Sequence, residues 1–193
     1  MVFNEDWYNN NQINDLITLA NSVNKLDGNI IEIGCWEGKS TTALANAIYP
    51  ETIICNDTWL GNVAESELTG QTHITIQILQ ERDVYNTFLD NMNTMTKKNY
   101  KIIKDDYLNW LKTYNEKIKF CHIDASHEYD SVYKTIELLL PNVISGGILC
   151  GDDFATANIG RKDLHGGVER AVREHFPDCK TLSNGNLWYW IKP

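Results

Sequence analysis

Nowhere does this sequence of 193 residues stay apolar for the roughly 18 positions that a membrane-crossing helix needs. Its opening, MVFNEDWYNNNQ, has neither the basic stretch nor the apolar run of a secretory signal, so the cytoplasm is the expected location. Basic residues are in deficit. Seventeen Lys and Arg stand against 26 Asp and Glu, a net charge of −9, which opposes non-specific binding to nucleic acid or to an anionic membrane surface. A neutral or cationic ligand is favoured instead. No CxxC pair occurs to suggest zinc, and the five cysteines, Cys35, Cys55, Cys121, Cys150 and Cys179, are odd in number. Four of them lie in or beside apolar, strand-like runs, as small reduced core residues do. Internal repeats and low-complexity tracts are absent as well.

What is there suits one domain spanning 1–193, with 42% hydrophobic and 22% charged residues around a single core. Ile13, Leu16, Ile17, Ala20 and Val23 recur at helical spacing before LDGN breaks the pattern. Five short apolar runs follow, NIIEIG, TIICND, YKIIKDD, KFCHIDA and GGILCGDD, each ending in a polar or acidic residue. Such runs are expected of strands buried on both faces. Helical patterns lie between them: KSTTALANAI, a stretch from about Ile74 to Met95, YLNWLKTY and DSVYKTIELLL. Strands alternating with helices imply an open α/β sheet with parallel pairing and right-handed crossovers. GGVERAVREHF adds a helix, and CKTLSNGNLWYWIKP reads as two strands around Asn184-Gly185-Asn186. Its aromatic last strand could be an edge that pairs with a second copy in a homo-oligomer. The least regular part, WLGNVAESELTGQTH, is too long for a minimal connection and is expected to form a flap, the variable region running over about 60–83. A second loop covers 155–166 and carries Arg161, Lys162 and His165.

Ligands of open parallel sheets sit outside the carboxyl ends of the strands. The first such end is EIGCWEGKST, where Gly34 and Gly38 permit a sharp turn and Ser40 can donate near a helix N-terminus. The G-x-x-x-G spacing differs from the G-x-G-x-x-G of dinucleotide sites, and Glu32 suits a ligand bearing ammonium or sulfonium charge better than a pyrophosphate. Asp57 ends the second run, where an acid can accept both hydroxyls of a ribose, and Trp59 offers a face for a base. Asp105 and Asp106 end the third and add contacts for an adenine amino group. Each of these features also has a structural explanation, as turn glycines, capping acids or core aromatics. Their agreement along one sheet edge favours a site.

The fourth and fifth runs end in Asp124 and in Asp152 and Asp153. Three converging carboxylates repel one another unless a cation is present, and oxygen ligands select a hard ion such as Mg2+. His127, three residues beyond Asp124, would then act with an unperturbed pKa of about 6.5 as a proton acceptor near neutral pH.

The stretches IIEIGCWEGKSTTALA, NDTWLG, YNTFLDNM and FCHIDASHEYDSVYKTIELLLPNVISGGILCGDDF resemble class I S-adenosylmethionine-dependent methyltransferases, in particular the macrocin-type sugar O-methyltransferases, with the metal-dependent catechol O-methyltransferases as more distant relatives. The resemblance covers roughly Asn29 to Phe154. It implies a Rossmann-like, doubly wound, mostly parallel seven-stranded sheet with a C-terminal antiparallel hairpin. It further implies that Glu32, Gly34, Trp36, Gly38 and Ser40 contact the methionine part of S-adenosylmethionine and Asp57 its ribose. Asp124, which also borders the cofactor, would hold a metal with Asp152 and Asp153, and His127 would be the general base. Ala125 stands where related chains usually carry Gly, and the segment from Gly61 to Asp83 has no counterpart. The expected activity is methyl transfer to a hydroxyl of a small diol-like acceptor such as a sugar or polyphenol, helped by a divalent cation. A metal-independent methyltransferase, a nicotinamide-dependent oxidoreductase on a related sheet, and a binding module without chemistry are the alternatives.

Overall fold

The computed structural model describes residues 3–5, 7–154 and 166–193. The loop expected at 155–166 therefore lies, apart from Gly166, outside the described residues. One sheet of seven strands organises the molecule, in the order β3-β2-β1-β4-β5-β7-β6. Its strands are β1 (Asn29–Ile33), β2 (Ile53–Asn56), β3 (Tyr100–Ile103), β4 (Ile118–Ile123), β5 (Val143–Gly151), β6 (Lys180–Leu182) and β7 (Leu187–Ile191). The first five are parallel to one another, whereas β7 runs antiparallel to both β5 and β6. This is the expected α/β class with its terminal hairpin. The aromatic last strand, however, is not an edge. β7 is paired on both sides, and the sheet ends on β3 and the short β6, so the pairing surface expected there is already used within the chain.

Successive residues of a strand point to opposite faces, so each central strand feeds two cores. Ile30, Phe120, Ile148 and Leu187 join the core under α1 (Asn10–Ser22), α2 (Lys39–Ala47) and α5 (Val84–Met95). Ile31, Cys121, Leu149 and Trp188 face the opposite core, covered by α6 (Tyr107–Leu111), α7 (Tyr129–Leu139) and α8 (Gly166–His175). Cys35, Cys55, Cys121 and Cys150 are buried and all five cysteines are free thiols, as expected. Helix α1 starts on a reciprocal capping box of Asn9 and Gln12. Among the described residues no helix is long and apolar enough to cross a membrane.

Two expectations about the flap need correction. It is not irregular: it holds α3 (Val63–Thr69), stopped by Gly70 in the left-handed region, and α4 (Ile74–Glu81), whose first turn His73 caps. The helix expected from Ile74 to Met95 is also broken, because Arg82 is extended and Asp83 caps a new helix by accepting from Asn86 N–H. A capping acid in mid-pattern ends one helix and starts the next.

Phe120 on β4 is fully buried at the centre of the sheet. Phe120→Ala should lower unfolding free energy by about 3–5 kcal/mol in urea titration. A loss under about 1 kcal/mol, as for an exposed position, would contradict the core described.

Candidate active site

The register of the parallel strands brings the chemistry together. Ile33 is level with Asn56 and with Ile123, and Ile123 with Gly151. The residues that follow, Gly34, Asp57, Asp124 and Asp152, therefore leave the sheet side by side, where the strand order changes direction between β1 and β4. Above this edge lies a cavity of about 740 Å³, walled by the glycine loop, the N-terminal segment, α3, the start of α6 and the β4–α7 loop.

The glycine loop is organised by Asp57. Its Oδ2 accepts from Cys35 N–H (2.8 Å) and Trp36 N–H (2.9 Å), and its Oδ1 from Trp59 N–H (2.7 Å). Burial still outweighs these three donors and raises the Asp57 pKa. Gly34 has φ 87°, and a Cβ there would stand 1.9 Å from the Asp124 carbonyl oxygen, so only glycine lets the first and fourth strand ends approach. The loop is covered by the chain's first residues. Asn4 donates twice to Glu37, Glu5 accepts from the Trp36 indole, the Trp7 ring lies 5.5 Å from that of Trp36, and Arg82 bridges Glu5 and Glu37.

Beside it sit the acids. Burial, reinforced by Asp153, pushes Asp124 up to about 6. Burial and the Asp124 charge push Asp152 up to about 7. Asp152 is bound by Gln12, whose Nε2 reaches both carboxylate oxygens at 3.1 Å. One donor atom each from Asp124, His127 and Asp153 lie within 4.8 Å of one another. His127 Nε2 is 2.7 Å from Asp153 Oδ2, and its Nδ1 is 2.7 Å from Glu65 Oε1. Burial favours the neutral ring, but hydrogen bonds and charge from Asp153 and Glu65 prevail and raise the His127 pKa to about 10. The expected unperturbed value is thereby corrected: flanked by two carboxylates, this imidazole holds its proton at neutral pH.

Residues 31–154 match the family described as a methyltransferase domain. The chain belongs to that family. It is a class I S-adenosylmethionine-dependent methyltransferase. No curated protein matches it. Solved structures share the fold at low identity. The O-methyltransferase NovP superposes with a TM-score of 0.71 at 16% identity, over 94% of this chain and 79% of its own. The calicheamicin methyltransferase CalS11 gives 0.66 at 16% identity, over 93% and 79%. An O-methyltransferase from Bacillus cereus, in complex with S-adenosylhomocysteine, gives 0.56 at 14% identity, over 93% and 81%.

In this methyltransferase the expected site residues separate into two groups. Gly34, Trp36, Ser40, Asp57, Asp106, Asp124, His127, Asp152 and Asp153 line the cavity; Glu32, Gly38, Trp59 and Asp105 do not. Glu32 is buried within the sheet, its Oε1 3.0 Å from Nδ1 of His122 on the neighbouring strand. Gly38 faces Phe88. Trp59 packs on Tyr85 and Phe88 and donates to the Trp36 carbonyl, so its face serves the core rather than a base. Asp105 accepts from Asp106 N–H, and Asp106 caps α6 through Asn109 N–H. Metal-type donors likewise gather as Asp124, Asp153 and His127, whereas Asp152 is taken by Gln12.

The residues that sequence reasoning missed are Tyr8, Gln12, Glu37, Glu65, Arg82 and His122. His122 Nδ1 lies 3.0 Å from Glu32 Oε1 and its Nε2 3.0 Å from the Tyr8 hydroxyl, which burial and the nearby Asp124 charge keep protonated well above the usual tyrosine range. Burial opposes a charge on His122, yet the hydrogen bond and charge of Glu32 raise its pKa. The one available signal was the pairing of a charged Glu with a His at equivalent positions of two apolar runs.

Asp57→Asn keeps the shape but removes a charged acceptor, leaving a backbone N–H opposite an amide N–H. Stability should fall by about 1.5–3 kcal/mol in urea titration, with weaker S-adenosylhomocysteine binding in calorimetry. Wild-type values in both would show that this carboxylate does not organise the loop.

Proposed function

We propose that this methyltransferase moves the methyl group of S-adenosylmethionine to a hydroxyl oxygen of a small acceptor carrying neighbouring oxygens, as a sugar or a polyphenol does. We also read residues 1–193 as one catalytic domain, with about 60–83 as the flap over the acceptor. The observation that carries the reading is the cluster of Asp124, Asp153 and His127 facing the same cavity as the glycine loop. A neutral hydroxyl is a poor nucleophile, so the site needs a group that takes its proton beside the donor. The new bond is carbon to the acceptor oxygen, the bond broken is carbon to sulfur, and the sulfonium becomes a neutral thioether. The proton goes to Nε2 of His127, the ring atom facing Asp153, in the state of the site in which that nitrogen has given up its own proton. The acidic surroundings favour the positive donor over its neutral product, and holding both reactants in line supplies much of the remaining acceleration.

The residues fit a divalent cation. Asp124 is half-buried among like charges, its pKa is raised, and Asp153 offers a second carboxylate beside it. A cation held by Asp124 and Asp153 would supply polarisation of the acceptor hydroxyl and would withdraw from His127 the Asp153 charge that keeps its proton in place. A metal-free reading is supported by a specific observation too: the 2.7 Å contact of His127 with Asp153 and the Gln12 clamp on Asp152 already answer part of the negative charge.

Chelation separates the two. Excess EDTA should abolish turnover with a catechol or sugar diol, leave S-adenosylhomocysteine affinity within about twofold, and be reversed by Mg2+ or Mn2+. Full turnover in EDTA would decide for the metal-free enzyme. His127→Ala should lower kcat by about 10²- to 10⁴-fold with little change in cofactor affinity; an unchanged kcat would remove His127 as the proton acceptor.

A further inference from the structure

Helix α3 is a short surface helix. Leu68 is 71% exposed and Val63 45%, yet Glu65 between them is only 1% exposed. Taking a carboxylate out of water from a helix that otherwise faces solvent costs several kcal/mol unless polar partners meet it. Glu65 has four such contacts. Oε1 accepts from His127 N–H at 3.0 Å, lies 2.7 Å from His127 Nδ1, and accepts from Asn62 Nδ2 at 3.2 Å. Oε2 lies 3.3 Å from Nε2 of His73, the residue capping α4. Both helices of the flap thus converge on one carboxylate, and that carboxylate grips the imidazole at the far end of the ring from the cavity's acids.

We infer that Glu65 is the positioning residue for His127, carried on the flap so that the flap and the imidazole orientation are set together. The inference rests on the reading of His127 as proton acceptor. An imidazole has two nitrogens, and a partner on one decides which lone pair the other presents. Nδ1 lies 2.7 Å from Glu65 Oε1 and Nε2 lies 2.7 Å from Asp153 Oδ2, so rotating the ring about its Cβ–Cγ bond would part both ion pairs, and Nε2 is the nitrogen turned toward Asp153. The backbone bond from His127 N–H to the same oxygen fixes the β4–α7 loop at the position from which the ring projects. A purely structural role, pinning the flap to the loop, would need only the backbone bond. The second contact, to the ring, is what a positioning role adds.

Glu65→Gln retains an acceptor of the same size but can only offer an amide to Nδ1. Its kcat should fall by about 10- to 100-fold, the range for residues that orient another group, while KM for acceptor and S-adenosylmethionine stays within about twofold. Glu65→Asp should recover part of the loss. In a His127→Ala background, Glu65→Gln should add no further loss, because the two residues act through one group. A kcat equal to wild type in Glu65→Gln, or a rise confined to KM, overturns the inference and marks Glu65 as a flap anchor. So does a full additional loss in the double variant. If instead His127→Ala itself turns over normally, it is the base reading that fails, and this is seen before Glu65 is touched. Should Glu65→Gln not fold, the ¹⁵N ring shifts of His127 in the wild-type protein decide: a protonated, hydrogen-bonded Nδ1 supports the assignment, and an Nδ1 without a proton refutes it.

Discussion

Negative charge gathered at one end of the sheet is the constraint that the rest of the molecule answers. Parallel strands in register end level with one another, so the acids that follow β2, β4 and β5 have no room to avoid each other. Each is met differently. Asp57 is met by three backbone N–H groups, Asp152 by the Gln12 amide, Glu32 by His122, and Glu65 and Asp153 by the two sides of His127. The compensation is incomplete, since burial and mutual repulsion still raise Asp124 and Asp152. A site left short of positive charge is suited to a sulfonium donor, and it loses that attraction once the product is neutral.

The sheet was legible because its signal is local. Apolar runs ended by an acid, separated by helical periodicity, are what strands buried on both faces and joined by crossovers produce. The glycine loop, Asp57 and the Asp124, Asp152 and Asp153 ends followed from that sheet. What stayed hidden depends on contacts distant in sequence. Glu32 looked like a ligand for a cation, and its partner is His122, 90 residues away and directly opposite on the adjacent strand. Trp59 looked like a stacking surface, and the helix that claims it, α5, starts only at Val84. Arg82 carries no local pattern that marks it, although it joins Glu5 to Glu37 across the glycine loop. The raised pKa of His127 could not be foreseen, because Glu65, which helps set it, sits in a segment whose pattern matched nothing.

Two segments wall the cavity on opposite flanks of the strand ends, and each is fastened through a buried acid. On the glycine-loop side, Asn4, Glu5 and Trp7 are held by Glu37, Arg82 and Trp36. On the β4–α7 side, α3 is held to His127 by Glu65. Arg82 lies between α4 and α5, immediately after the flap's second helix, so the flap contributes to both fastenings. Leu60, Val63 and Ile74 also line the cavity and are exposed at 64%, 45% and 52%. Apolar side chains left in water around an acidic cluster give an acceptor two unequal things to meet: oxygens at the strand ends and an apolar body against the flap. An acceptor that satisfied only the first would leave the flap's apolar surface wet, whereas one that satisfied both would bury it, stabilise α3 where it lies, and hold Glu65 against His127. On the proposed function, recognition of the acceptor's body and orientation of the His127 ring would be one interaction, made through a single carboxylate on a short helix.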